Sequence, residues 1–129
     1  MINKKTPLLS LYIHWPYCES KCPYCDFNSH VIEKVNEDNW IKAYTNQLYE
    51  YKSILDKFDI KFDNLNTIFF GGGTPSLMPI KILDHILNIS SKIFKFKDNI
   101  EISLEANPSS YERKKFKEIR QLGVNRLSI

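Results

Sequence analysis

The sequence predicts an α/β fold, a parallel β/α partial TIM-type barrel of which it holds about the first half. Three observations predict it. Short apolar strand-like runs alternate with amphipathic stretches in the order β-α-β-α-β-α-β. Each pair of successive runs is separated by enough chain for a helical crossover, which parallel neighbours need and hairpins do not. The last run, Val124 to Ile129, has no helix after it, so a barrel made of these strands alone would keep two open edges. The expectation is therefore one domain, residues 1–129, the N-terminal part of a larger barrel that stops in its fourth strand.

The elements follow in order. Leu8 to His14 is apolar with β-branched and aromatic content, and Trp15-Pro16 ends it, because proline lacks the amide a strand ladder needs. A cysteine-bearing loop runs to about His30. Asn36 is a helix N-cap followed by Glu37 and Asp38 in the first turn. Trp40, Tyr44, Leu48, Tyr51, Leu55 and Phe58 then recur at spacings of three and four, one face of an amphipathic helix. Thr67 to Phe70 reads as a buried strand stopped by Gly71-Gly72-Gly73. Pro79 suits the first turn of a second helix, with Leu83, Ile86, Leu87, Ile93 and Phe94 on its inner face. Ile100 to Ala106 alternates as a third strand, and Asn107-Pro108 turns the chain. Ser109 and Glu112 have capping-box spacing. Phe116, Ile119 and Leu122 carry the third helix to Gly123, a natural C′ residue, before the fourth strand begins at Val124.

Composition narrows the function classes. Eighteen Lys and Arg against fifteen Asp and Glu give a net charge of +3, spread along the chain without the basic stripe that nucleic acid requires. No stretch reaches the roughly 18 apolar residues of a membrane-spanning helix, and the polar start lacks a signal-peptide core, so a cytoplasmic location is expected. The three cysteines fall within one short loop. An odd, clustered set in such a chain points to metal or catalysis and away from a disulfide framework.

Cys18, Cys22 and Cys25 stand as C-x3-C-x2-C. Thiolates are soft ligands suited to iron–sulfur clusters and zinc. Three on one loop can hold three irons of a cubane and leave the fourth open to a substrate, as a catalytic zinc site keeps an open position. Two other readings stand beside this one: a zinc site completed by His14 and His30, and reduced cysteines without metal. Pro16 and Pro23 would stiffen the loop, and Tyr17, Tyr24 and Phe27 would shield it from water. After the second strand, Gly71-Gly72-Gly73-Thr74-Pro75 would let a ligand approach the backbone where parallel β/α folds place their ligands, or would simply be a tight turn. It is not a phosphate-binding P-loop, since no Gly-Lys-Ser/Thr follows. Glu105 ends the third strand with acceptor oxygens that could meet hydroxyls or an ammonium group. Glu101 is read as solvated or structural, and Arg126 as a structural anchor.

A cysteine loop of this spacing after a first strand resembles the radical SAM superfamily. The longer string LYIHWPYCESKCPYCDFNSH is similar to one branch, the oxygen-independent coproporphyrinogen III oxidases and their heme-chaperone (HemW) relatives, as are FFGGGTPSLM, ISLEANPSS and LGVNRLSI in that order. The resemblance spans nearly the whole chain but only the first third or so of a typical member. It implies a [4Fe-4S] cluster on Cys18, Cys22 and Cys25, and S-adenosylmethionine (SAM) on the open iron. It implies SAM contacts from Tyr12, Tyr24, Gly72, Gly73, Thr74 and Glu105, with Tyr24 beside the adenine, and places His14 in the strand signature. In active members one electron from the cluster cleaves SAM to methionine and a 5′-deoxyadenosyl radical. Oxidases carry a further cysteine two residues after the third, where this chain has Phe27. That substitution implies a heme chaperone, which binds and delivers heme, ahead of an oxidase that decarboxylates coproporphyrinogen III. Enzyme activity is thus left open, and a non-functional fragment, or a half that needs a partner polypeptide, is the third possibility. The implied partners are SAM, a porphyrin or heme (heme as cargo of a full-length protein), and an electron donor such as a flavodoxin or ferredoxin.

Overall fold

The computed structural model describes residues 5–20, 22–26, 29–31, 34–107 and 112–129. In chain order the elements are β1 (Leu9–Trp15), the two-residue strands β2 (Tyr17–Cys18) and β3 (His30–Val31), α1 (Glu37–Lys57), β4 (Leu65–Gly72), a 3-10 turn at Pro75–Leu77, α2 (Ile80–Ile93), β5 (Phe96–Glu105), α3 (Glu112–Gln121) and β6 (Arg126–Ser128). β1, β4, β5 and β6 form one sheet in that order, with every pairing parallel. Four parallel strands adjacent in chain order, each pair joined through a helix, match the expected first half of a β/α barrel.

The sheet has two unlike faces because successive side chains of a strand point opposite ways. Ile13 and Trp15 of β1, Ile68 and Phe70 of β4, and Ile102 and Leu104 of β5 are buried in one core with Tyr44 and Leu48 of α1, Ile82, Leu83, Ile86 and Leu87 of α2, and Ile119 of α3. Each fully buried aliphatic or aromatic side chain contributes roughly 1.5–3 kcal/mol. The other face carries Ser10, Tyr12 and His14, which pair in register with Thr67, Phe69 and Gly71. Glu101 and Ser103 continue those rows, and Arg126 pairs with Ser103 as Ser128 does with Glu105. This face is polar and self-connected. Thr67 donates to Ser10 Oγ over 2.8 Å, Tyr12 stacks on Phe69, and Arg126 reaches Ser103 Oγ at 3.3 Å and Glu101 at 3.7 Å. Glu101 and Arg126 are thus tied to each other and to Ser103 on this face.

Local signals act as the sequence indicates at several points. The Asn36 side chain accepts from Asn39 N and starts α1, with Glu37 and Asp38 in its first turn. Gly123 ends α3 at φ 116°, a conformation other residues rarely adopt. Other expectations need correction. TIFF is not buried on both faces: Phe69 lies on the polar face, and β4 runs on through Gly71 and Gly72. Pro79 is the N-cap of α2 and lies just outside its first turn. On α1, Trp40, Tyr44, Leu48 and Leu55 pack inward, but Tyr51 is exposed, and Phe58, the C-cap just after the helix, is 67% exposed. Ile82 joins the inner face of α2 that the spacing gave to Leu83 and its fellows. Asn125 performs an unforeseen task beside β6: its side chain accepts from Ile102 N over 2.9 Å and donates to Ile100 O over 2.8 Å, so it pairs with the β5 backbone as a strand residue would. The Ser109–Glu112 capping box and the Asn107-Pro108 turn fall largely outside the described residues.

Candidate cluster and SAM site

The cysteine loop hangs from the end of β1. It is closed at its base by the short parallel pair in which Tyr17 faces His30 and Cys18 faces Val31, reinforced by His30 N donating to Pro16 O over 2.6 Å. Within it Cys25 N donates to Cys22 O over 3.1 Å, a β-turn with Pro23 in the second position, which proline's fixed φ favours. Trp15, Tyr17, Trp40 and Tyr44 pack ring against ring under the base, with centroids 5.1 to 5.5 Å apart. Tyr44 also donates to His14 O over 2.7 Å, and burial, with the nearby Tyr17 second, pushes its phenol far above its ordinary pKa.

The glycine loop docks on this base through its backbone. Gly73 N donates to Trp15 O over 2.7 Å, Thr74 N to Tyr17 O over 2.9 Å, and Gly72 N to Glu105 Oε2 over 3.2 Å. Glycine is required here. Gly72 sits at φ 122°, where an added Cβ would fall 2.5 Å from Trp15 O, and a Cβ on Gly73 would fall 2.6 Å from Tyr17 O and 2.8 Å from Cys18 Sγ. The loop is thus packed directly against the first cysteine.

These pieces enclose one open cavity of about 710 Å³. Cys18, Cys22, Cys25, Tyr24, Gly72, Gly73, Thr74 and Glu105 all line it. Eight of the nine residues singled out from the sequence therefore meet in one place. The exception is Tyr12. It lies on the polar sheet face one row below His14, outside the cavity lining, with its Oη 3.2 Å from His14 Nδ1. Burial, and then the charge of Glu105, raise the Tyr12 phenol above its ordinary pKa. Tyr24 lines the cavity but is 86% exposed, so it does not shield the cysteines as expected; Tyr17 is half-buried beneath them, and Phe27 lies outside the described residues. Sequence reasoning missed Asp26, Asn107 and Ser128 in the lining, and Ser29, whose Oγ is 3.7 Å from Cys25 Sγ. Ser128 could have been found from register, since it pairs with Glu105.

The donor set fits a cubane better than a single ion. All three cysteines are free thiols around a shared space. Among the described residues no three His, Cys, Asp or Glu side chains are gathered to hold one metal ion, which is what zinc needs within about 2.3 Å of each sulfur. His14 lies beside Tyr12 and Gly72, and the exposed His30 belongs to the loop's base.

Comparison with known proteins gives the same direction. The heme chaperone HemW of Haemophilus influenzae is 43% identical over 128 residues, covering 97% of this chain and 33% of that protein. The heme chaperone HemW of Escherichia coli is 40% identical, covering 97% of this chain and 32% of that protein. The chain thus spans about a third of the length of the curated relatives it matches. Among solved structures, the coproporphyrinogen III oxidase HemN of Escherichia coli, described as a radical SAM enzyme, matches with a TM-score of 0.79 and 26% identity, covering 93% of this chain and 27% of that one. A model of the Radical SAM superfamily matches residues 12–129, from the first strand through the cysteine loop and the glycine loop to the last residue. With that match over the half-barrel and its cysteine cavity, the chain belongs to the radical SAM superfamily.

Proposed function

We propose that the chain holds a [4Fe-4S] cluster on Cys18, Cys22 and Cys25, receives SAM beside it, and serves a heme-handling protein of the chaperone class. The observation that carries the cluster and SAM reading is the shared cavity, in which the three thiols face the glycine loop and Glu105. The cluster, when bound, supplies a reducing electron and an open iron.

The chain's own groups account for recognition. The amides of Gly72, Gly73 and Thr74 are all engaged, with Glu105, Trp15 O and Tyr17 O. With these amides engaged, the loop meets a ligand with acceptor oxygens and with the Thr74 hydroxyl, which can donate or accept. Acceptors complement an ammonium group, such as the one on the methionyl end of SAM. Glu105 adds a carboxylate, of which the Gly72 amide uses one acceptor position, leaving capacity for an ammonium or a ribose hydroxyl. Tyr24, at the mouth, offers an exposed ring on which an adenine can stack. Tyr12 is better read as a neighbour on the sheet face that feels the charge of Glu105 than as a wall of the cavity.

The heme-chaperone class rests on the curated relatives bearing that name and on Phe27, which stands where the oxidases have their additional cysteine. The oxidase reading is the second one, favoured by the likeness to HemN.

Anaerobic reconstitution of the chain with iron and sulfide tests the site. About four irons per chain, with a reduced-state EPR spectrum that changes when SAM is added, is the expected result. Stoichiometric zinc in place of iron, or a spectrum indifferent to SAM, would overturn it. Heme titration against a coproporphyrinogen III decarboxylation assay, made on a protein of the relatives' length that begins with this chain, separates the two classes. Heme binding without decarboxylation is expected.

A further inference from the structure

Ser29 is a polar residue that the fold buries at the foot of the cysteine loop, with 4% exposure, while Cys22 and Tyr24 nearby are open to solvent. Its place is fixed by the strand pair that closes the loop, since His30, the next residue, is held by Pro16 O and by its pairing with Tyr17. Its hydroxyl meets Cys25 Sγ at 3.7 Å, within reach of a hydrogen bond to a large sulfur atom. A buried hydroxyl needs a partner. In the free thiol either atom can donate. Once Cys25 ligates iron its sulfur is a thiolate and only accepts, so the serine must donate.

We propose that Ser29 is a positioning residue that holds Cys25 and tunes the cluster it binds, an inference that rests on the cluster reading above. A hydrogen bond to a ligating sulfur favours the cluster state with more negative charge. Reduction adds one electron to the cluster, so the Ser29 hydroxyl favours the reduced state and makes the cluster easier to reduce. Removing it makes reduction harder without removing a ligand.

The test is a redox titration, followed by EPR, of the reconstituted chain and of Ser29→Ala and Ser29→Thr, with iron measured in each. Only the difference in the strength of this hydrogen bond between the two cluster charges counts. At a fixed potential, Ser29→Ala should hold its iron and lower the ratio of reduced to oxidised cluster roughly 3- to 10-fold, tenfold being about 59 mV for a one-electron couple. Ser29→Thr, which keeps the hydroxyl, should restore the wild-type ratio. If Ser29→Ala loses iron, retention of iron and potential by Ser29→Thr supports the same assignment. A wild-type potential in a fully loaded Ser29→Ala, or equal behaviour of the two variants, overturns it. If the wild-type chain assembles no cluster, it is the cluster reading that fails, and iron content separates the two failures.

Discussion

The two loops that face each other across the cavity are built on opposite principles. The glycine loop is finished: its three amides are hydrogen-bonded, Thr74, Pro75 and Ser76 are buried, and no side chain larger than hydrogen fits at Gly72 or Gly73. The cysteine loop is anchored at its base and open at its tip, where Cys22 and Tyr24 are exposed on a β-turn from Cys22 to Cys25. A preformed wall suits a ligand recognised by fixed acceptors. A loop with free thiols suits a ligand that is itself the missing packing, since metal-binding energy can do the ordering. Substitutions in one loop should therefore damage the fold, and those in the other should damage only what the fold holds.

The largest effect expected is Cys22→Ala. Iron after reconstitution should fall from about four per chain to well below one. Unfolding of the metal-free chain in urea should move by less than about 0.5 kcal/mol, because the side chain is an exposed free thiol. A variant that takes up wild-type iron would break the contrast at its first point.

Gly72→Ala tests the other side. The left-handed backbone at φ 122° costs about 1–3 kcal/mol for a residue with a Cβ, and the contact at 2.5 Å with Trp15 O adds overpacking of about 1–3 kcal/mol. A loss of roughly 2–6 kcal/mol in the metal-free chain is expected from urea denaturation. A loss under about 0.5 kcal/mol would mean that the loop is as adaptable as its neighbour.

Tyr24→Ala should leave metal-free stability and iron content near wild type, since the ring is 86% exposed. Its effect should appear on SAM. An aromatic platform under a base is worth about 1–3 kcal/mol, so SAM affinity read from the EPR titration should weaken about tenfold.

Much of this contrast was legible beforehand, and the reasons differ by residue. Asn36, Gly123 and the three cysteines announce themselves through chemistry that acts within a few residues. Strand order was readable because helical crossovers make sequential neighbours parallel. Three things were not readable. Periodicity assigned Tyr51 and Phe58 to the inner face of α1, but it reports which side of a helix is apolar and not which positions on that side are covered. The two-residue strands β2 and β3 are too short to carry a period, so the closed base of the loop, and with it the burial of Ser29, had no sequence signal. Tyr12 matched a site by position along the strand, yet which row of the sheet face reaches the cavity depends on register with β4.

The smallest effect expected sharpens the comparison at its hinge, where β1 becomes the cysteine loop. Tyr44 donates to His14 O from a buried position, and its phenol is held protonated well above its ordinary pKa, chiefly by burial. The unfolded chain releases that proton near pH 10, whereas the folded chain keeps it. Between those two points the folded state binds the extra proton, so stability falls as pH rises, by at most about 1.4 kcal/mol per pH unit from this group. Tyr44→Phe should cost about 1 kcal/mol at neutral pH through the lost hydrogen bond, and should remove this part of the alkaline slope. Urea midpoints measured from neutral pH to above pH 10 would show it. An alkaline slope unchanged in Tyr44→Phe would mean that another group carries it, and that the brace under His14 is not the firm side of the hinge.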